Sequence, residues 1–125
     1  MTREFLAPSE KPMEWAGSTK KDLAAFPVEV GRAVGQALEA AQFGGKHPRA
    51  KPWKGDGSGV LEIVDDYRGD TYRAVYTVRF EKAVYVLHVF QKKSKTGVKT
   101  DRRDQELVAS RLRAAALDYK EKYGG

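Results

Sequence analysis

Four stretches of the chain have the spacing of apolar and polar residues that is typical of β-strands. Tyr72–Phe80 and Val84–Gln91 both alternate, and only Glu81–Ala83 separates them. This arrangement predicts an antiparallel hairpin. Val60–Val64 predicts a further strand just before the hairpin, and Pro12–Ala16 predicts a short strand near the start of the chain.

Alternation divides the first hairpin strand into an apolar face and a mixed face that carries two arginines. We expect helices to cover the apolar face, which holds Tyr72, Ala74, Tyr76, Val78 and Phe80. We expect the mixed face to be open, and it holds Arg73, Val75, Thr77 and Arg79. Both faces of the second strand are largely apolar, which is typical of a central strand. Strict alternation places His88 on one face with Val84, Val86 and Phe90.

Three other segments have the apolar spacing of helices. A short helix is predicted around Leu23–Phe26 and ends at Pro27. The second helix is predicted from an apolar stripe of Val30, Val34, Ala37, Leu38 and Ala41. Its Gly31 and Gly35 are four residues apart, which predicts the close approach of another element. A last helix from about Asp101 has the stripe Val108, Leu112, Ala115, Ala116, Tyr119 and Tyr123.

The predicted order of elements is strand, helix, helix, strand, strand, strand, helix. Consecutive strands with short links form an antiparallel meander, so we predict the α+β class, with a small antiparallel sheet and helices on one side. A length of 125 residues suits one domain with one core. We predict a loose arm over residues 1–11 and a single folded domain over residues 12–125.

The composition indicates the charge of the expected partner and excludes several kinds of functional site. The chain has 23 Lys and Arg against 17 Asp and Glu, a net charge of +6, which favours phosphate-rich or acidic partners. It has no cysteine, which excludes disulfides, thiolate zinc sites and cysteine nucleophiles. Two separate histidines and scattered carboxylates predict no metal or other cofactor. The first residues lack a long apolar run, so we predict a cytoplasmic protein without a membrane partner.

Much of the positive charge lies in two segments next to predicted strands. The exit of the second hairpin strand is followed by Lys92, Lys93, Lys95 and Lys99. The loop KHPRAKPWKGDGSG, residues 46–59, precedes the strand at Val60 and carries Lys46, Arg49, Lys51 and Lys54 around Trp53. Together with Arg73, these cations predict a platform for a polyanion, with nucleic acid as the expected class.

Several motifs resemble those of a known superfamily. They are YRAVY at Tyr72–Tyr76, VYVLHVFQKKSK at Val84–Lys95, and Thr100 before a helix that begins with an acidic residue. Further matches are Trp15, Asp22–Leu23, Phe26–Pro27 and the segment Lys51–Gly59 that leads into LEIV. Together they resemble the RelE/ParE toxin superfamily, and within it the phage-derived, HigB-like branch. The resemblance covers nearly the whole chain beyond the arm, and LHVFQKK is its more specific motif.

Members of this superfamily are toxins of two-component toxin–antitoxin modules. The resemblance implies a RelE-like fold and an endoribonuclease that cleaves mRNA, in association with the ribosome. The ribose 2′-hydroxyl would attack the adjacent phosphate, without a metal. The implied partner is a cognate antitoxin of the helix-turn-helix type. Two alternatives stay open: a ParE-like inhibitor of DNA gyrase, and a phage-derived relative that binds RNA or protein without catalysis.

The resemblance also assigns candidate catalytic roles to individual cations. Arg73 matches a strand arginine used on the scissile phosphate, and its alternative role is an ion pair with Glu62 or an aspartate. Lys92 and Lys93 match a strand-end basic pair that stabilises the charge developing on phosphorus. Lys54 matches lysines that relatives place before the strand predicted here at Val60–Val64. The residues predicted to contact RNA are Lys46, Arg49, Lys51, Trp53, Lys95 and Lys99.

Two ring-bearing residues have more than one interpretation. His88 can titrate near neutrality and is a candidate for catalysis, but its apolar neighbours also fit a hydrogen-bonded histidine in the core. Trp53 could stack on a base or cover the sheet edge. RNA-cleaving relatives often have a tyrosine just after the strand-end cation, whereas Ser94–Lys99 contains no aromatic and no acidic residue. A mechanism based on lysines is therefore expected.

Overall fold

The computed structural model describes residues 10–92 and 101–124. Five strands and three helices follow one another as β1 (Met13–Trp15), α1 (Thr19–Ala24), α2 (Val28–Gln42), β2 (Lys51–Pro52), β3 (Val60–Tyr67), β4 (Asp70–Thr77), β5 (Val84–Lys92) and α3 (Arg102–Tyr123). The α+β class and the predicted order are confirmed, with one addition. Two residues of the basic loop form β2, which the sequence pattern did not predict because a two-residue strand has no period. Among the described residues, no helix is long and apolar enough to cross a membrane.

The strands form one sheet in the order β1-β5-β4-β3-β2. β2 to β5 pair antiparallel as predicted, but β1 runs parallel to β5, with Met13 opposite Val84 and Trp15 opposite Val86. The sheet is therefore mixed. The meander leaves the outer edge of β5 unpaired, and β1 fills that edge. The Val84 amide donates to the Pro12 carbonyl oxygen at 3.0 Å, next to the first residue of β1.

Helices cover both faces of the sheet, which corrects the prediction that they lie on one side. The stripe of α2 packs on one face against Ile63, Ala74, Tyr76 and Val86. On the other face α3 packs through Val108, Leu112, Ala115 and Tyr119 against Val60, Val75, Tyr85 and Leu87. The mixed face of β4 is thus not open along its whole length. Because β5 is apolar on both sides, it requires cover on both sides.

A β-bulge in β5 reverses the alternation that the sequence suggests. Val75 lies opposite His88, but the next residue of β4, Tyr76, lies opposite Val86. Leu87 is the extra residue, and it packs in the core under α3. His88 also faces α3, where it contacts Asp104. A single inserted residue therefore places His88 on the same side as Leu87, and strict alternation is wrong at this point.

The glycines of α2 do not support a close helix contact. A Cβ at Gly35 would meet nothing within 4 Å, and a Cβ at Gly31 would lie 4.0 Å from the Leu23 carbonyl oxygen. We therefore expect Gly35→Ala to raise the free energy of unfolding by about 0.5–1 kcal/mol, because alanine loses less backbone entropy in a helix. Urea denaturation followed by circular dichroism measures the change.

Gly17 provides the contrasting control for the Gly35→Ala measurement. Its φ is +54°, and an added Cβ would lie 2.5 Å from Nη2 of Arg111. Gly17→Ala is expected to be destabilising for both reasons. Equal effects at the two positions would mean that Gly35 has a role beyond the helix backbone.

Candidate nucleic-acid interface

A groove of about 950 Å³ opens on the α3 side of the sheet, beside β2. Its lining residues are Lys51, Pro52, Trp53, Lys54, Glu62, Arg102 and Gln105. Lys51 and Lys54 form the wall that comes from β2 and the loop after it, while Arg102 and Gln105 form the wall that comes from the start of α3. The lining thus combines cations from two separate elements with one carboxylate, that of Glu62.

The carboxylate belongs to Glu62, which the sequence indicates only as a possible partner for Arg73. Glu62 Oε1 accepts a hydrogen bond from Arg73 Nη1 at 2.9 Å, and the two side chains are only 11% and 14% exposed. Lys51 lies directly opposite Glu62 in the pairing of β2 with β3. The sequence contains one signal for Glu62 as a site residue, which is its place in the apolar run VLEIV. A carboxylate in such a run is rarely buried unless it is paired.

Arg73 lies beside this carboxylate and is not among the groove-lining residues. Its Nε is buried without a hydrogen-bond partner in the described part of the chain. The ion pair with Glu62 is one of the two roles considered for Arg73 from the sequence, and the structure contains it. A contact between Arg73 and a phosphate stays a prediction.

Hydrogen bonds from Arg79, and one within the loop, hold the loop that carries Lys54. Arg79 donates to the Asp56 carbonyl oxygen at 2.5 Å and to the Ser58 carbonyl oxygen at 3.0 Å. Trp53 Nε1 donates to Asp56 Oδ2 at 3.1 Å, and the indole is 4% exposed within the core under α3. Trp53 therefore covers the sheet, which is one of the two roles considered for it from the sequence, and stacking on a base stays a prediction.

His88 contacts the first turn of α3. Its Nε2 is 2.8 Å from Asp104 Oδ1, and its ring stacks on Phe90 with centroids 4.2 Å apart. Burial lowers the pKa of His88 below its ordinary value of 6.5, although the hydrogen bond to Asp104 opposes that shift. His88 is a buried, hydrogen-bonded histidine and does not line the groove.

The lowered pKa of His88 predicts a loss of stability in mild acid. In the unfolded chain the His88 imidazole is protonated as the pH falls through about 6.5. In the folded protein the same imidazole is protonated only at a lower pH. Between those two values the unfolded state binds more protons, so stability falls as the pH falls below about 6.5. Melting temperatures between pH 5 and 8 measure this slope. It should flatten in His88→Gln and persist in His47→Gln, a variant of the other histidine in the chain; the reverse pattern would contradict the assignment.

Three of the other predicted cations, Lys46, Arg49 and Lys92, are described by the structure and do not line the groove. Lys46 is exposed in the loop before β2, and Arg49 binds the Val64 carbonyl oxygen at 2.6 Å and Asp65 Oδ1 at 3.1 Å. Lys92 ends β5, where it pairs with Thr71 across the sheet. Lys93, Lys95 and Lys99 lie outside the described residues. The sequence did not indicate Arg102 and Gln105 as site residues, because only the packing of α3 brings them to β2.

Within residues 10–92 and 101–124, no group of three or more histidines, aspartates or glutamates is placed to hold a metal ion. The groove itself contains one carboxylate and no imidazole. Its chemistry is therefore that of cations around a single paired carboxylate.

Comparison with known proteins gives one match. Residues 21–113 match the family described as "Phage derived protein Gp49-like (DUF891)". No curated protein and no solved structure matches the chain. The matched range runs from α1 to the middle of α3 and includes every groove-lining residue. The family lies within the RelE/ParE-like toxin superfamily of toxin–antitoxin systems. The chain therefore belongs to the phage-derived Gp49-like family.

Proposed function

We propose that this protein is the toxin of a toxin–antitoxin module and that it cleaves RNA in the groove between β2 and α3. The observation that carries the proposal is the groove itself, which is lined by Lys51, Lys54 and Arg102 together with the paired carboxylate of Glu62. Membership of the Gp49-like family supports the toxin role. The net charge of +6 supports a polyanionic substrate.

The two cationic walls suit a single RNA strand that lies between them. Lysine and arginine side chains on opposite sides can contact successive phosphates of one strand, and each contact releases counterions. Pro52 and Trp53 add a small apolar surface to the lining. A groove of about 950 Å³ has the size of an ordinary small-ligand cleft, which suits one nucleic-acid strand better than a duplex. We therefore propose single-stranded RNA, such as mRNA, as the substrate.

Glu62 is the proposed general base of the reaction. Its carboxylate takes the proton of the ribose 2′-hydroxyl, and the 2′-oxygen forms a bond to the adjacent phosphorus. The bond from phosphorus to the 5′-oxygen breaks, and a lysine ammonium of the groove, Lys54 or Lys51, donates a proton to the leaving oxygen. The products are a 2′,3′-cyclic phosphate and a 5′-hydroxyl. Arg102 and the remaining lysine stabilise the negative charge on the phosphorus oxygens.

Arg73 has a supporting role in this proposal. By donating to Glu62 at 2.9 Å, it fixes the direction of the carboxylate that must receive the proton. Lys92 and Lys93, at the end of β5, keep the role predicted from the resemblance, which is to stabilise charge near the scissile phosphate. The HigB-like branch, action on ribosome-bound mRNA and inhibition of translation in the cytoplasm also belong to the proposal.

A cognate antitoxin is the proposed protein partner. An acidic segment that covers Lys51, Lys54 and Arg102 would block RNA without touching Glu62. The helix-turn-helix type of antitoxin expected from the resemblance is part of the same proposal. If an antitoxin covers these cations, the purified antitoxin should protect RNA in every assay in which this protein cleaves RNA.

The direct test is RNA cleavage by the purified protein, with and without ribosomes. We expect new ends in translated mRNA that carry a 2′,3′-cyclic phosphate upstream and a 5′-hydroxyl downstream. Intact RNA under both conditions would overturn the proposal. DNA supercoiling by gyrase is then the second assay, because inhibition of gyrase without RNA cleavage would identify a ParE-like toxin.

A further inference from the structure

We propose that His88 and Asp104 form a positioning pair that sets the first turn of α3 against the groove and so places Arg102 over the RNA. This inference rests on the proposed function, because its effect is read from RNA binding. Neither residue lines the groove. Asp104 lies two residues after Arg102 and one residue before Gln105, and both of these are lining residues.

The bulge in β5 is what makes this contact available. With regular alternation after Leu87, which faces α3, residue 88 would face α2 and Asp104 would lose its partner. The extra residue Leu87 turns the imidazole to the α3 side, where Nε2 lies 2.8 Å from Asp104 Oδ1. Bulges commonly redirect a side chain next to a functional site.

A second contact from α3 holds the same bulge. Arg111 Nη1 donates to the Leu87 carbonyl oxygen at 2.9 Å, two turns along the helix from Asp104. Arg111 itself lies against Gly17, where any side chain would collide with the guanidinium. The two contacts fix the helix at separate points along its axis, which sets both its position and its rotation over the sheet.

The first turn of α3 depends on His88 more than the rest of the helix does. Val108 is the first fully buried residue of α3, so residues 102–107 have little apolar anchorage. The other end has several anchors: the Lys82 amide donates to Tyr119 Oη at 3.0 Å, and Tyr123 Oη donates to Glu14 at 2.6 Å. Loss of the bond to Asp104 should therefore loosen the first turn and leave the end of the helix in place.

A double-mutant cycle on RNA affinity tests this coupling. The probe is a single-stranded RNA oligonucleotide with 2′-O-methyl riboses, which cannot be cleaved, and affinity is measured by fluorescence anisotropy. We expect Arg102→Ala to weaken binding about fivefold, as for one exposed charge contact. His88→Ala should weaken it by about as much. The double variant should lose no more than about fivefold, because both changes remove the same contact.

Lys51 provides the matched control on the opposite wall. His88→Ala combined with Lys51→Ala should weaken binding about 25-fold, the product of two independent fivefold effects. His88→Gln should retain affinity, because its amide can still donate to Asp104. If His88→Ala does not fold, Asp104→Ala removes the same bond from the helix surface and takes its place in the cycle.

The possible failures can be told apart. A wild-type protein that does not bind the oligonucleotide overturns the proposed function and this inference with it. A wild-type protein that binds, together with a His88→Ala/Arg102→Ala variant about 25-fold weaker, overturns only the positioning role. Amide hydrogen exchange gives a readout that does not depend on RNA: in His88→Ala, residues 105–108 should exchange faster, while residues 115–123 keep their protection.

Discussion

A Glu62→Gln protein is expected to bind RNA but to cleave it about 10²–10⁴-fold more slowly than the wild type. Glutamine keeps the length of the side chain and an oxygen that can accept from Arg73, so the groove retains its shape. It cannot take the proton of the 2′-hydroxyl. Cleavage rates of a labelled single-stranded RNA under single-turnover conditions, with binding measured on the 2′-O-methyl probe, separate the chemical step from affinity.

Asp65→Asn is the matched control for this variant. Asp65 is on the same strand, is also paired with an arginine, Arg49 at 3.1 Å, and does not line the groove. It should cleave RNA at the wild-type rate. A Glu62→Gln protein that cleaves as fast as Asp65→Asn would exclude Glu62 as the base and would leave a lysine of the groove for that role.

An Arg73→Met protein is expected to lose about 3 kcal/mol of folding free energy. Both members of the Glu62–Arg73 pair are largely buried, at 11% and 14% exposure, so the pair has little solvent screening. Removal of the guanidinium leaves a buried carboxylate without its 2.9 Å partner, and that desolvated charge accounts for most of the cost. Urea denaturation at neutral pH measures the loss.

Combination with Glu62→Gln distinguishes the charge effect from lost packing. The double variant Arg73→Met/Glu62→Gln should be more stable than Arg73→Met alone, because no unpaired charge is left beside β4. If the double variant is less stable than both single variants, the loss of folding free energy in Arg73→Met comes from packing and not from the unpaired carboxylate. Loss of activity in an Arg73 variant is therefore informative about the orientation of Glu62 or a phosphate contact only at a temperature where the variant is folded.

The site is assembled from segments that are distant in the chain. Lys51 and Lys54 come from the loop before β3, Glu62 from β3 itself, and Arg102 from the start of α3. The two cationic walls therefore belong to parts of the molecule that meet only through the packing of α3 on the sheet. Stability of that packing and affinity for RNA are expected to change together in variants of the helix.

The sequence by itself determined all of the elements except β2, and its charge predicted a class of partner. The period of two in Tyr72–Thr77 and the apolar stripe of α2 are local patterns, and local patterns specify strands and helices. The lysines before β3 were also evident, since net charge and its clusters need no tertiary information. The alternation of β5 was predicted wrongly from residue 88 onward, because nothing in the local pattern marks one inserted residue.

Only the tertiary structure decided which side of the sheet each helix covers and which residues form the groove. β5 is apolar on both faces, so its pattern alone is compatible with helices on either side. The packing of α3 on the face opposite α2 brings Arg102 and Gln105 to β2 and gives Asp104 its contact with His88. His88 and Asp104 are 16 positions apart in the chain, and the groove-lining residues Lys51 and Gln105 are more than 50 apart. The period of a strand or helix carries no information over such distances.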